Sequence, residues 1–204
     1  MTRSSVMTAV TMRIRKEASA TREAPAFEFR RLLVAPALLA LGLFAVSCGS
    51  SSPSGPSPAA SLVSKGLSAE AAGQTQQALK DFMAAIAKDH TDAKANYELG
   101  VLYQQRLNKP ALAADAYKNA LKDEPKYKSA MFNLAILDTQ TNPQAAQNLY
   151  TELLLLNRND PNVLFNLGLL LISENQPIPG HAALKKAIAL DPSLARRVPA
   201  GITP

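Results

Sequence analysis

Tryptophan is absent from this chain, cysteine occurs once, histidine twice, and aromatic side chains make up only 5% of the sequence. A lone cysteine excludes an intramolecular disulfide framework and any metal site built on paired cysteines. With few aromatics and many Ala and Leu residues, helices are favoured over a β-sandwich. His90 and His181 have no Cys, Glu or Asp at nucleophile or metal-ligand spacing, and no glycine-rich phosphate loop occurs. Both histidines read as solvated surface residues. The sequence is therefore expected to be non-enzymatic, with no cofactor and no metal. Its 204 residues suffice for one domain with a sizeable core or for an elongated repeat array.

A strongly basic balance is also lacking once the charge is located. The formal net charge is +6, but residues 1–47 hold seven basic side chains against Glu17, Glu23 and Glu28. Residues 48–204 hold fifteen basic and thirteen acidic side chains, a nearly neutral mixture. Such a surface is a poor footprint for phosphate, so nucleic acid is not expected as a partner.

What is present begins with an apolar run. Residues 32–46, "LLVAPALLALGLFAV", follow Arg30 and Arg31. A basic segment followed by fifteen apolar residues has the length of a signal-peptide core. A membrane-spanning helix needs about 20 such residues, and Pro36 and Gly42 interrupt this run. The single cysteine, Cys48, stands at its foot in "AVSC" (Ala45 to Cys48). This resembles the lipobox of bacterial lipoprotein precursors at its last three positions, with Ala45 where Leu is usual. The resemblance implies cleavage before Cys48, lipidation of its thiol, and residence as a membrane-anchored protein of the cell envelope, outside the cytoplasm. The other reading is an incidental thiol at the end of an N-terminal membrane helix; Arg30-Arg31 alone is a weak sign of twin-arginine export. Residues 48–60, "CGSSSPSGPSPAA", read as a Ser/Pro/Gly tether that lets a domain stand off the membrane by roughly 20 Å. One acyl chain binds a membrane only marginally, so several are physically sensible.

Beyond the tether the chain repeats itself with a period close to 34. Small residues recur at Gly66, Gly100, Ala135 and Gly168, and again at Ala78, Ala113, Ala146 and Gly180. Four residues after the second set stand Phe82, Tyr117, Tyr150 and Leu184, followed by Ala85, Ala120, Leu153 and Ala187. Steps of four and three place each set on one face of a helix. The interval between the two small columns is 12, 13, 11 and 12 residues, so length variation falls in the turn between helices. Asn and Pro clusters mark the corners.

"YELGVLY" (Tyr97–Tyr103) with "AADAYKNALKDEP" (Ala113–Pro125), and "LFNLG" with "AALKKAIALDP" farther on, resemble the tetratricopeptide repeat. The resemblance covers about residues 59–194, as four repeats over 59–92, 93–127, 128–160 and 161–194, leaving a short tail at 195–204. Repeat one departs from the pattern at Lys65, where Leu is usual, and at His90; repeat three departs at Asp138 and Arg158. The implied fold is all-α: helix–turn–helix repeats stacked into a right-handed α–α superhelix with a concave groove.

In such folds the first helix of each repeat lines the groove. Tyr97, Phe132 and Phe165, with Val101, Ile136 and Leu169 one turn on, would then form an apolar, partly aromatic stripe suited to a protein or peptide ligand. Val63 and Leu67 hold these places in the first repeat, and Asn133 and Asn166 flank the stripe. The Lys and Asn carboxylate clamp of chaperone-binding relatives is absent, because Tyr97 and Val101 occupy its places. The implied role is an interaction scaffold for an envelope partner. The alternatives are a self-associating structural protein or an accessory subunit of a membrane or cell-wall enzyme complex. "SLARRVPAGITP" after Pro192 reads as too short in helix to shield Leu184, Ala187 and Ile188, predicting association through the last repeat.

Overall fold

Ser57 ends the Ser/Pro/Gly stretch by becoming a helix cap. Its side-chain oxygen accepts from the Ala60 N–H at 3.1 Å, and Pro58 takes the first helical position, where no donor is needed. The computed structural model describes residues 56–203. Within them run eight α-helices: α1 (Pro58–Ala71), α2 (Thr75–Lys88), α3 (Ala93–Gln105), α4 (Pro110–Asp123), α5 (Lys128–Thr141), α6 (Pro143–Leu156), α7 (Pro161–Ser173) and α8 (Pro177–Leu190). A 3₁₀ turn over Pro192–Arg197 follows. The tether expected to reach residue 60 therefore ends earlier, because Ser57-Pro58 is a start signal rather than linker. Residues 1–55, with the apolar run and Cys48, lie outside the described residues.

Each corner has a local chemical cause. Asp92, Asn142 and Asp160 accept from the backbone N–H groups of Ala95, Ala145 and Val163 at 2.9, 3.1 and 3.1 Å, capping α3, α6 and α7. Proline also opens α4, α6, α7 and α8. The turns inside three pairs use the left-handed backbone region, at Gly73 (φ 74°), Asn108 (φ 52°) and Asn175 (φ 62°), which Gly and Asn tolerate best. In the pair α5–α6, Asn142 alone both ends one helix and caps the next. That one-residue turn explains why the third repeat has the shortest interval between its small columns.

Helices pair as α1–α2, α3–α4, α5–α6 and α7–α8, and each pair packs on the next. The first helices also meet across repeats, α1 with α3 and α5 with α7, forming one layer of an α–α solenoid. The pairing rests on the small–bulky columns. Phe82, Tyr117, Tyr150 and Leu184 are each 0% exposed. A Cβ added to Gly66 would meet the Phe82 ring at 2.5 Å, and one added to Gly100 would meet the Tyr117 ring at 2.6 Å. In α7–α8 the bulky residue is only Leu184, and a second glycine faces the first. A Cβ at Gly168 would stand 2.9 Å from the Gly180 carbonyl oxygen. Where the filler shrinks, the backbones close in.

The two ends of the array differ. At the first repeat Lys65 is exposed beside Ser61, Ser64 and Ser68 of α1, Gln74 of the turn, and Gln77 and Asp81 of α2. Its counterparts Leu134 and Leu167 are buried against neighbouring helices. A polar outer face is what a terminal repeat requires, so Lys65 is fitted to its place. At the other end the expectation of an uncovered strip fails. Leu184 and Ala187 are 0% exposed, as is Leu194 of the 3₁₀ turn, and Val198 and Ile202 pack on the same cluster. The tail caps the array because non-helical chain can also bury apolar side chains. The cover is incomplete: Ile188 is half-buried, and Ile178 and Leu190 of the same helix remain exposed.

The glycine contact yields a stability prediction. Helix propensity alone would make Gly100→Ala favourable by about 1 kcal/mol. Collision with the Tyr117 ring should reverse the sign, costing about 1–3 kcal/mol in urea titration.

Candidate peptide-binding groove

The stripe predicted for the groove is partly embedded in the core. Val101 is 3% exposed and packs with Tyr117 and Leu134; Ile136, Phe165 and Leu169 are buried in the cluster that holds Leu184 and Leu194. Val63 is buried likewise among Phe82, Ala95 and Leu102. Their places on the helix face also point between repeats, so burial competes with ligand contact. Tyr97 and Phe132, with Leu67 in the first repeat, are the members that remain partly exposed. The Tyr97 ring lies 5.8 Å from Tyr117 and 5.0 Å from Tyr127, in tilted contact, while Phe132 meets Tyr150 edge-on at 6.2 Å. The open part of the stripe is thus an aromatic ledge set on buried tyrosines.

Asn133 and Asn166 do not flank that ledge as open ligand donors. Asn133 is buried, and its Nδ2 donates to the Tyr117 hydroxyl at 3.2 Å. That hydroxyl in turn donates to Gln104 Oε1 at 2.6 Å. A tyrosine in the bulky column brings a polar oxygen into the core, and such an oxygen needs partners. Gln104, four residues after Gly100, supplies one; Asn133, two residues before Ala135 in the next repeat, supplies the other. Tyr150 does not repeat the pattern: its buried hydroxyl has no hydrogen-bond partner, and Thr139, at Gln104's place, donates instead to the Ala135 carbonyl at 2.9 Å. Asn166 is Asn133's counterpart and is 2% exposed. The first repeat has Phe82 instead, with no hydroxyl to satisfy. There Glu70, at Gln104's place, turns to Arg106, with Oε1 3.7 Å from Nε.

Burial sets the acid–base behaviour of this region. It holds the Tyr117 and Tyr150 phenols far above their ordinary range. The Tyr127 phenol is pushed up to about 12, first by burial and then by Glu98, Tyr97, Glu124 and Asp92. Among the described residues no group of three or more His, Cys, Asp or Glu side chains is arranged to hold a metal ion. No described helix is long and apolar enough to cross a membrane.

The arrangement defines a fold: an all-α solenoid of paired helices of the tetratricopeptide-repeat type, with an inner layer of first helices. Residues 102–137 match the family model described as tetratricopeptide repeat. The match runs from the end of α3 through α4 into α5, across the Tyr117–Asn133 contact. Among solved structures the chain is similar to MamA from Desulfovibrio magneticus, with 18% identity and a TM-score of 0.63 over 68% of this chain and 78% of that one. It is also similar to a tetratricopeptide repeat protein from Parabacteroides merdae, with 23% identity and a TM-score of 0.61 over 68% of this chain and 56% of that one. A third likeness is to a chain of the APC/C hetero-tetramer Cut9–Hcn1, with 21% identity and a TM-score of 0.57 over 67% of this chain and 28% of that one. No curated protein sequence matches.

Two outcomes follow from the tyrosine network. Tyr117→Phe strands Gln104 Oε1 and Asn133 Nδ2 and should cost about 1–3 kcal/mol in chemical denaturation. Tyr150→Phe removes a buried hydroxyl that has no hydrogen-bond partner and should be near neutral or slightly stabilising. Alkaline stability follows the phenols. Unfolded tyrosines ionise near 10, whereas folded Tyr127 holds its proton up to about 12. Below pH 10 both states are protonated and stability is flat in this respect; between 10 and about 12 the unfolded state loses protons first, so stability falls. Denaturation midpoints measured from pH 8 to 12 should break downward near 10, and Tyr127→Phe should soften the break.

Proposed function

We propose that the chain is a lipid-anchored interaction scaffold on the outer face of a bacterial membrane, holding an envelope partner by a peptide segment laid along its inner helices. The observation that carries the binding half is the ledge of Tyr97 and Phe132, partly exposed on consecutive first helices and backed by buried Tyr117 and Tyr150 and half-buried Tyr127. Rigid aromatics presented by a pre-formed scaffold bind with little loss of side-chain freedom. The anchoring half rests on the sequence alone: a lone Cys48 closing a signal-like apolar run. Since α1 begins at Pro58, nine residues separate it from Cys48, and a flexible chain of that length spans about 15–18 Å. The scaffold would work close to the lipid headgroups, within reach of envelope proteins and not of the cytoplasm.

Each half has its own test. Metabolic labelling with a fatty acid should mark the wild-type chain, and Cys48→Ala should abolish both the label and recovery in the membrane fraction. An N-terminus found elsewhere in the mature protein, with Cys48 unmodified, would end the anchoring reading. For binding, the partner captured by cross-linking on intact membranes should be recovered at least about tenfold less with Tyr97→Ser and Phe132→Ser together, with helical circular dichroism retained. Undiminished recovery would remove the ledge as the binding surface.

A further inference from the structure

The groove face of the last repeat is covered by the chain's own tail. After the 3₁₀ turn the backbone becomes extended at Val198 (φ −64°, ψ 127°) and folds back, with the Ile202 N–H bonded to the Pro199 carbonyl at 3.2 Å and Gly201 at φ 92°. The Arg197 guanidinium stands 4.9 Å from the centre of the Phe165 ring, and its Nη1 donates to Asn162 Oδ1 at 3.2 Å. Pro199 is buried, and Val198 and Ile202 pack on the cluster containing Ile136, Phe165 and Leu169. Three members of the predicted stripe thus belong to a cluster covered by a short, non-helical segment.

Two jobs are separated along this tail. Leu194, held by the 3₁₀ turn, is fully buried among Leu184, Ala187 and Phe165 and serves as the cap proper. Arg197 to Ile202 add a different kind of contact: a cation on an aromatic face, a side-chain amide bond, and two aliphatic side chains at i and i+4 of a turn-containing segment. That is the contact set by which an extended peptide is recognised.

We propose that Arg197–Ile202 is an internal occupant of the groove, and that the partner which displaces it is a peptide presenting an arginine next to a β-branched residue. This rests on the reading of the inner face as a peptide-binding surface and names the chemistry it selects. A tethered occupant acts at an effective concentration of the order of millimolar, so it weakens a competing peptide by the fraction of time it leaves the site open.

The test uses the full-length chain and a fluorescent peptide of its own sequence, "ARRVPAGIT" (residues 195–203), with a scrambled peptide as control. The wild-type chain should bind the probe weakly. A chain with Arg197→Ser, Val198→Ser and Ile202→Ser should keep its helical signal and bind the probe roughly 10–100-fold more tightly than wild type. Adding Asn162→Ala should take back part of that gain, and the scrambled peptide should show none of it. Equal affinity of the wild-type and released chains, equal binding of the scrambled peptide, or loss of helical structure on release would each overturn the proposal. In the last case the tail is an inseparable part of the core. None of these results depends on the envelope partner, so failure here is distinct from failure of the Tyr97 and Phe132 test.

Discussion

A glycine facing an aromatic ring is the contact on which this array depends. Two helices joined by three or four residues pack against each other only if one backbone makes room, and Gly66 and Gly100 make that room for Phe82 and Tyr117. The ring then fills the gap completely, at 0% exposure. Everything else adjusts to the size of the filler. Tyr150 is paired with Ala135, and Leu184 with two glycines, so a smaller filler goes with a closer backbone approach at Gly168 and Gly180. Interiors packed at crystal-like density allow no slack in such a column.

The choice of filler also sets the polar residues of the inner helices. Phe82 and Leu184 bury no polar atom; Tyr117 and Tyr150 each bury a hydroxyl. Gln104 and Asn133 answer the first hydroxyl with bonds of 2.6 and 3.2 Å, from the same repeat and the next. The network therefore crosses the repeat boundary and locks the second repeat to the third. Gln104 Nε2 has no partner, but the two bonds to the hydroxyl still favour one register, because a slip would leave all three side chains unpaired. The neighbouring aromatic ledge inherits that rigidity: Tyr97 leans on Tyr117 and Tyr127, and Phe132 on Tyr150.

The fold was legible because its determinants are local and repeated. Gly and Ala at fixed spacing, the bulky residue four positions on, and Asp, Asn and Pro at corners each act within one helix or turn. The groove was legible only in part. A position on a helix face says which way Val101, Ile136, Phe165 and Leu169 point, but their burial depends on how closely the next repeat and the tail approach. Asn133 was misread for a related reason. Its partner is the hydroxyl of Tyr117, sixteen residues away, and only the stacked pairs bring them together. Even so, the signal was present: Asn stands two residues before the small column only in the two repeats preceded by a tyrosine filler.

The tail was misjudged because counting helical turns was the wrong measure of capping. What a terminal repeat needs is removal of apolar surface from water, worth about 25 cal/mol per Å² whatever the backbone conformation. Leu194 in a 3₁₀ turn does this as well as a helix would, with Val198 and Ile202 laid over the same cluster. The two ends of the array then solve one problem by opposite means. At the start, Lys65 and its neighbouring serines make the outer face tolerate water. At the end, α7 has apolar residues at Leu164, Phe165, Leu167, Leu169, Leu170 and Leu171, too many for that remedy, and the chain must supply a cover. A cover made of irregular chain holds fewer internal hydrogen bonds than a helix and depends more on the side chains it lays down. Arg197 on Phe165 and Asn162 is one such contact, and it ties the end of the cover to α7.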